Sequence, residues 1–244
     1  MKSVLILGAK SDMAKATAIV YVKNGWNLSL AGRNVIIGLS SFRDQLKDDY
    51  GCEINLYELD ILDFQSHLGF FKSFSQKPDG VICFIGLLGD QKKSEIDFNE
   101  TKTVIDSNFT GIVSLFNNFA NYYEEKGNGF IVGVSSVAGD RGRKSNYTYG
   151  SAKAALTTYL SGLRNRLASK NVHVITVKPG FVDTKMTKNL DLPGLITVSP
   201  NYVGKKIFKM QQKRVDRFYV PGYWFFIMFI IKLIPERIFK KIDI

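Results

Sequence analysis

Tyr149 and Lys153 stand four residues apart in Tyr-Gly-Ser-Ala-Lys, where a stretch that reads as helix begins. On a helix, side chains at i and i+4 leave the same face. A free tyrosine ionises near pH ~10 and is a poor proton carrier at neutral pH. A neighbouring ammonium favours phenolate and draws the pKa toward working pH, as general acid–base catalysis requires. Upstream, Ser135 and Ser136 close the apolar run 130–134, and a hydroxyl at that strand end can point at a bound carbonyl. The Tyr-Lys spacing alone is equally an exposed helix pair worth about 0.2–0.5 kcal/mol. The rest of the chain has to decide between the two.

Such groups need a rigid frame, and strand and helix patterns alternate from residue 3 to residue 220. Strands are expected at 3–7, 26–30, 53–58, 79–86, 130–134, 172–177 and 217–220. Helices are expected at 15–24, 36–50, 63–74, 94–107, 109–125, 149–169 and 200–213. The pattern predicts an α/β fold, a Rossmann-like doubly wound parallel sheet with helices on both faces. Residues 1–220 form one domain in this reading, and 221–244 form a tail helix rather than a second domain. Strand 3–7, the turn Gly8-Ala9-Lys10-Ser11-Asp12-Met13-Ala14 and the next helix present backbone N–H groups and a positive helix end to an anion. Asp12 is equally placed to cap that helix.

The 244 residues are 45% apolar and 23% charged, a globular balance. Cys52 and Cys83 make no disulfide framework, so a reducing cytoplasm is the default. His67 and His173 are too few for a histidine metal site, and no metal is expected. The formal charge is +11, and residues 201–244 hold ten Lys and Arg against Asp216, Glu236 and Asp243, a surplus of seven. Within that segment, residues 223–231 are apolar all round until Lys232 and Ile234-Pro235 end the run. Spanning a bilayer needs ~20 apolar residues, so this stretch is too short. Two readings stay open. The tail packs on the protein or on a twin subunit, or it lies in a membrane surface with Trp224 and flanking cations at headgroup level. Cations on both sides of the apolar run favour an anionic membrane surface over nucleic acid, against the plain alternative of a solvated helix face.

Taken together, Ser136, Tyr149-x-x-x-Lys153 and the glycine-led turn at Gly8 resemble the short-chain dehydrogenase/reductases. That resemblance implies reversible hydride transfer between a nicotinamide and a carbonyl or alcohol. Tyr149 is then the proton donor, Lys153 the group that tunes it, Ser136 the carbonyl polariser and Asn108 a relay residue. The cofactor contacts implied are Gly8, Lys10, Ser11, Asp12, Met13, Arg33, Asp60, Ile61, Gly86, Tyr149, Lys153, Pro179, Gly180, Val182 and Thr184. Asp60 seats the adenine, and Pro179-Gly180-Phe181-Val182-Asp183-Thr184 closes on the nicotinamide. Arg33 replaces the acidic residue that selects NAD, so NADP(H) is favoured over NAD(H). The turn departs from the family's three glycines, keeping only Gly8, with Asp12 and Ala14 at the other two places. At the fourth strand the usual Asn-Asn-Ala-Gly is Cys83-Phe84-Ile85-Gly86, with only the glycine matching. Residues 184–198 read as a mobile substrate lid.

The turn at 8–14, Gly86-Leu87-Leu88-Gly89-Asp90, the run 135–143 and the aromatic-basic tail are similar to one branch, the decaprenylphosphoryl-2-keto-ribose reductases. That branch implies a polyprenyl-phosphate-linked 2-keto sugar substrate in cell-envelope polysaccharide biosynthesis. It also implies a partner flavin oxidase and a peripheral place on the cytoplasmic membrane face. Arg141, Arg143 and Lys144 are then candidates for the substrate phosphate, with an exposed basic loop as the alternative. A soluble sugar, polyol or acyl ketone is the second substrate reading. A non-catalytic NADP-binding sensor or scaffold is the reading from another class. A homodimer or homotetramer is implied by analogy.

Overall fold

A computed structural model describes residues 1–188 and 193–242. Seven strands form one fully parallel sheet: β1 (Ser3–Leu7), β2 (Asn27–Gly32), β3 (Ile54–Glu58), β4 (Gly80–Cys83), β5 (Gly129–Val134), β6 (Val172–Pro179) and, last in sequence, Arg217–Val220. Two-residue strands β7 (Phe181–Val182) and β8 (Thr197–Val198) pair separately, which makes the last strand β9. The order across the sheet is β3-β2-β1-β4-β5-β6-β9. Helices cover both faces, so the central strands read as continuous apolar runs rather than alternating ones. Successive residues of β1 show why. Val4 and Ile6 enter one core with Ala14, Ala18, Val203 and Ile207, while Leu5 and Leu7 enter the other with Phe116, Phe119, Leu156 and Leu160. This is the doubly wound parallel architecture expected from the strand–helix alternation.

The helices are α1 (Asp12–Lys23), α2 (Val35–Gly38), α3 (Ser40–Tyr50), α4 (His67–Lys72), α5 (Gln91–Ile96), α6 (Phe98–Ile105), α7 (Gly111–Lys126), α8 (Tyr147–Leu167), α9 (Pro200–Gln212), α10 (Trp224–Leu233) and α11 (Glu236–Phe239). Several differ from the periodicity reading. The first helix starts at Asp12 rather than residue 15, so Asp12 and Met13 lie in its first turn. The helix expected at 94–107 is split at Asp97, whose carboxylate accepts the Asn99 N–H at 2.9 Å and caps a new helix. Its end merges into a π-helical turn, Asp106–Thr110. The helix expected at 36–50 breaks at Leu39, and 63–74 reduces to a 3-10 turn plus α4.

The tail forms two short helices separated at Ile234-Pro235, where proline interrupts the pattern. Trp224 and Met228 are buried against Val137, with Phe181, Ile196 and Tyr219 around them. Among the described residues no helix is long and apolar enough to cross a membrane. Of the expected lid, residues 189–192 lie outside the described residues, and its far end is a 3-10 turn leading into β8.

Candidate active site

The chain leaves β1 toward β2 and β3 and then crosses to β4 on the other side. In an open parallel sheet, ligands bind outside the carboxyl ends at such a switch point. Gly8 sits there with φ +75°, and a Cβ on it would stand 2.8 Å from the Ile85 amide nitrogen. Both constraints demand glycine. The amides of Gly8 and Ala9 donate to the Ala31 carbonyl at 2.9 and 3.0 Å, fixing the turn to β2. Ser11 is the N-cap of α1 but accepts no N–H with its side chain. The first-turn amides of α1 therefore have no side-chain cap and face the crevice as donors.

Asp12 does not cap α1. Its Oδ2 accepts the Lys185 N–H at 2.8 Å, tying the segment after β7 to the start of α1. Ala14 is buried, and the Met13 side chain packs into the core, so Met13 has only its backbone to offer a ligand. Arg33 is exposed at the end of β2 and has no hydrogen-bond or ion-pair partner among the described residues. The Lys10 side chain reaches the same edge, where a Cβ on Gly38 would stand 3.7 Å from its Nζ. Glu58, which sequence reading overlooked, accepts the N–H groups of Asn34 and Ile36 at 2.7 and 2.9 Å. Its carboxylate thereby holds the left-handed Asn34 turn that carries Arg33. Asp60 accepts the Leu62 N–H at 3.0 Å in a local turn, and Ile61 beside it is buried.

On the other side of the crevice, β5 and α8 bring the proposed proton-transfer groups together. The Ser136 hydroxyl is close enough to the Tyr149 phenol to lower its pKa, and Ser136 Oγ accepts the Ala138 N–H at 3.1 Å. Lys153 is buried, with its Nζ donating to the Val134 carbonyl at 3.1 Å and lying 5.7 Å from the Tyr149 ring centre. Ser135, the other half of the Ser-Ser pair, donates to the Lys153 carbonyl at 2.9 Å and pins this turn of α8 to the strand end. The electrostatics differ from the expectation. Burial pushes the Tyr149 phenol up to about 12, with Ser136 pulling the other way. Burial also draws the Lys153 ammonium down to about 8, opposed by the nearby Cys83 thiol. Desolvation is the largest cause at both groups, at the buried Lys153 and at the half-buried Tyr149.

Asn108 is fully buried inside the π-helical turn. Its amide donates to the carbonyls of Leu87 and Val104 at 2.7 and 2.8 Å, and its Oδ1 accepts the Leu87 N–H at 3.3 Å. Asn108 thus braces the loop leaving β4, a structural duty that the missing Asn-Asn pair left unassigned. Gly86 adjoins it. A Cβ there would stand 3.0 Å from Asn108 Oδ1 and 3.3 Å from Lys153 Nζ, so Gly86 keeps a gap open beside both. π-Turns of this kind frequently occur at functional sites.

Pro179 ends β6, and Gly180 donates to the Val220 carbonyl at 2.9 Å. A side chain on Gly180 would overlap the Trp224 indole, so the tail sits directly on this loop. Val182 is buried, and the Thr184 hydroxyl pairs with that of Thr187 at 3.1 Å. The basic run 141–143 is not aimed at a phosphate. Arg141 Nη1 donates to the carbonyls of Ile231 and Ile234 at 2.5 and 2.7 Å, its Nη2 pairs with Glu236 at 3.0 Å, and its guanidinium lies 3.6 Å from the Phe239 ring centre. Arg143 Nη2 lies 3.7 Å from the Met228 sulfur. Both arginines hold the tail. Beneath them Asp140 is ion-paired with Lys178 and accepts the Tyr219 hydroxyl at 2.7 Å. A separate concavity lined by Lys2, Trp26, Asp79, His173 and Arg214 lies at the amino ends of the strands, away from the crevice.

Residues 2–193 match the family model for short chain dehydrogenase. A curated "uncharacterized oxidoreductase" of Streptomyces coelicolor is 28% identical over 243 residues, covering 99% of this chain and 96% of that one, tail included. Another, from Mycobacterium tuberculosis, is 31% identical over 210 residues, covering 82% of this chain and 80% of that one. Among solved structures, a short-chain dehydrogenase from Sphingobium yanoikuyae in complex with NADPH superposes with a TM-score of 0.82 at 18% identity, covering 97% of each chain. With its fold, its Ser136–Tyr149–Lys153 cluster and these relatives in agreement, the chain belongs to the short-chain dehydrogenase family of oxidoreductases.

Proposed function

We propose that the protein is an NADP(H)-dependent reductase of a carbonyl carried on a lipid, with a polyprenyl-phosphate-linked 2-keto sugar as the substrate class. The observation that carries the reductase reading is the Ser136–Tyr149–Lys153 cluster at the carboxyl ends of the strands, beside the gap at Gly86. The residues present fit a nicotinamide dinucleotide. Gly8 and the uncapped start of α1 suit a pyrophosphate, and Gly86 leaves room next to Lys153. When bound, the nicotinamide supplies or accepts the hydride.

The chain's own residues handle the proton and the charge. Ser136 donates a hydrogen bond to the carbonyl oxygen and polarises it. As hydride reaches the carbon, Tyr149 gives its proton to that oxygen. A phenol held protonated by burial is already in the acid form that reduction requires. Lys153 stabilises the resulting phenolate, and Asn108 holds the loop that shapes this end of the crevice. Lys10 and Arg33 are two cations converging on the edge of β2, which supports a preference for a 2′-phosphate. The lipid-linked substrate is supported by the apolar tail helix seated on the Gly180 loop and by the likeness of the 86–90 and 135–143 stretches to the keto-sugar reductases.

The test is NADPH and NADH oxidation with a panel of soluble ketones and a polyprenyl-phosphate keto sugar, by wild type and Tyr149→Phe. The expected result is NADPH oxidation that depends on the lipid-linked ketone and falls by about 10²–10⁴ in Tyr149→Phe. Arg33→Ala should weaken NADPH binding by about tenfold or more while sparing NADH, as loss of a charged hydrogen bond predicts. Equal rates for wild type and Tyr149→Phe would make the protein a nucleotide-binding sensor instead. Turnover of soluble ketones alone would remove the lipid.

A further inference from the structure

The outer face of α10 concentrates large exposed apolar side chains. Trp224 and Met228 point inward and are buried. The opposite face carries Phe225, Phe226, Phe229, Ile230 and Leu233, with Phe226, Ile230 and Leu233 at 66%, 63% and 65% exposure. A surface helix of a soluble protein normally turns charge to the outside. Here five large apolar side chains share the outside, and Lys232 stands at their margin. Contiguous exposed apolar surface of this kind marks an interaction site.

We infer that this face docks α10 flat on an anionic lipid bilayer. Ten helical residues extend only about 15 Å, half the hydrocarbon thickness, so the helix lies in the interface and does not cross it. The charge around the patch selects the occupant. Lys232, Arg237, Lys240 and Lys241 flank it in sequence, and among the described residues of the tail the one acid, Glu236, is already paired with Arg141. Two copies meeting through this face would bring those cations together with no unpaired carboxylate among the described residues of the tail. An anionic headgroup layer supplies the missing charge, at roughly 1 kcal/mol per basic residue near the surface.

The docked helix is fastened to the site loops. Trp224 lies on Gly180, and Arg141, five residues beyond Ser136, binds the last carbonyls of α10. The bilayer therefore meets the protein at the two loops that border Ser136 and Val182. This inference stands on the surface itself and does not depend on which ketone is reduced.

Co-sedimentation of the full chain with phosphatidylcholine vesicles, and with vesicles containing 30% phosphatidylglycerol, tests it. Wild type should pellet with the anionic vesicles, at least tenfold more than with the neutral ones, and half-molar salt should release most of it. Phe226→Ser/Ile230→Ser, which alters only outward side chains, should lose at least tenfold in vesicle binding while retaining the wild-type melting temperature and NADPH affinity. Equal pelleting of variant and wild type, or no pelleting with either vesicle, overturns the inference. So does a lipid-free loss of oligomeric mass in the variant by light scattering, which would assign the face to a second copy.

Discussion

Gly180→Ala isolates the contact between tail and site loop. A methyl group at this position would overlap the Trp224 indole, which is buried and set edge-on to Phe181 at 5.1 Å. Relief requires the tail to shift, because β6 and β9 fix the loop from behind through the Gly180–Val220 hydrogen bond. Overpacking of this kind costs about 1–3 kcal/mol. At ~2 kcal/mol, a chain of this size should melt about 4–8 °C lower. Trp224→Ala alone should cost about 3 kcal/mol, the low end for a large aromatic, since it belongs to a small satellite cluster. With the indole gone the three atoms nearest the added methyl are gone too, and Gly180→Ala becomes neutral or stabilises by about 0.4–1 kcal/mol through the unfolded chain. The double-mutant cycle should therefore return a coupling of about 2–3 kcal/mol. Thermal denaturation of the four proteins measures it. An equal loss in both backgrounds would show that Gly180 answers to something other than Trp224, and that the tail is not seated on the loop.

Two further outcomes follow from the buried polar groups. Asn108→Ala removes the side-chain partner of the Leu87 N–H and of the Leu87 and Val104 carbonyls. At about 1–3 kcal/mol for a buried group that loses its partner, melting should fall by roughly 2–12 °C and NADPH turnover should fall with it. The pH profile follows from Lys153, whose burial draws it to about 8. It is a cation below that pH and neutral above, so the stabilisation of phenolate is present at pH 7 and lost as pH rises through 8. Tyr149, pushed to about 12, keeps its proton throughout this window. In the reductive direction kcat/KM should therefore decline across pH 8, and a flat or rising profile would refute the assignment.

The sheet was legible because its central strands are buried on both faces and read as unbroken apolar runs, as at Leu5-Ile6-Leu7. Helix limits were less so where a side chain competes with the main chain. Asp97 caps a second helix inside what periodicity reads as one, and no hydrophobic count reveals that. The Ser136, Tyr149 and Lys153 cluster was readable from spacing along one helix and one strand end. Its protonation was not, because burial is a property of the whole fold. The partner of Asp12, the Lys185 amide, lies 173 residues away. Glu58, 24 residues beyond the Asn34 turn it holds, was equally invisible to local pattern. Arg141 and Arg143 looked free to meet a phosphate because their acceptors, α10 and Met228, arrive from the far end of the chain.

Those two arginines also change how the tail must be studied. In sequence it reads as a tail helix appended to the domain of residues 1–220. In the folded protein its inner face is part of the site's wall. Deletion would uncover Val137, the neighbour of Ser136, and take the indole off Gly180. It would also strip Arg141 of two carbonyls, a carboxylate and an aromatic face at once. A truncated protein that fails to turn over NADPH therefore cannot separate a lost membrane from a loosened active-site loop. The outward residues can, since Phe226 and Ile230 touch neither loop's anchors. One face of a ten-residue helix is fitted to the site loops and the other is left apolar and ringed by cations. That division puts any surface to which the tail binds next to the loops that shape the carbonyl site.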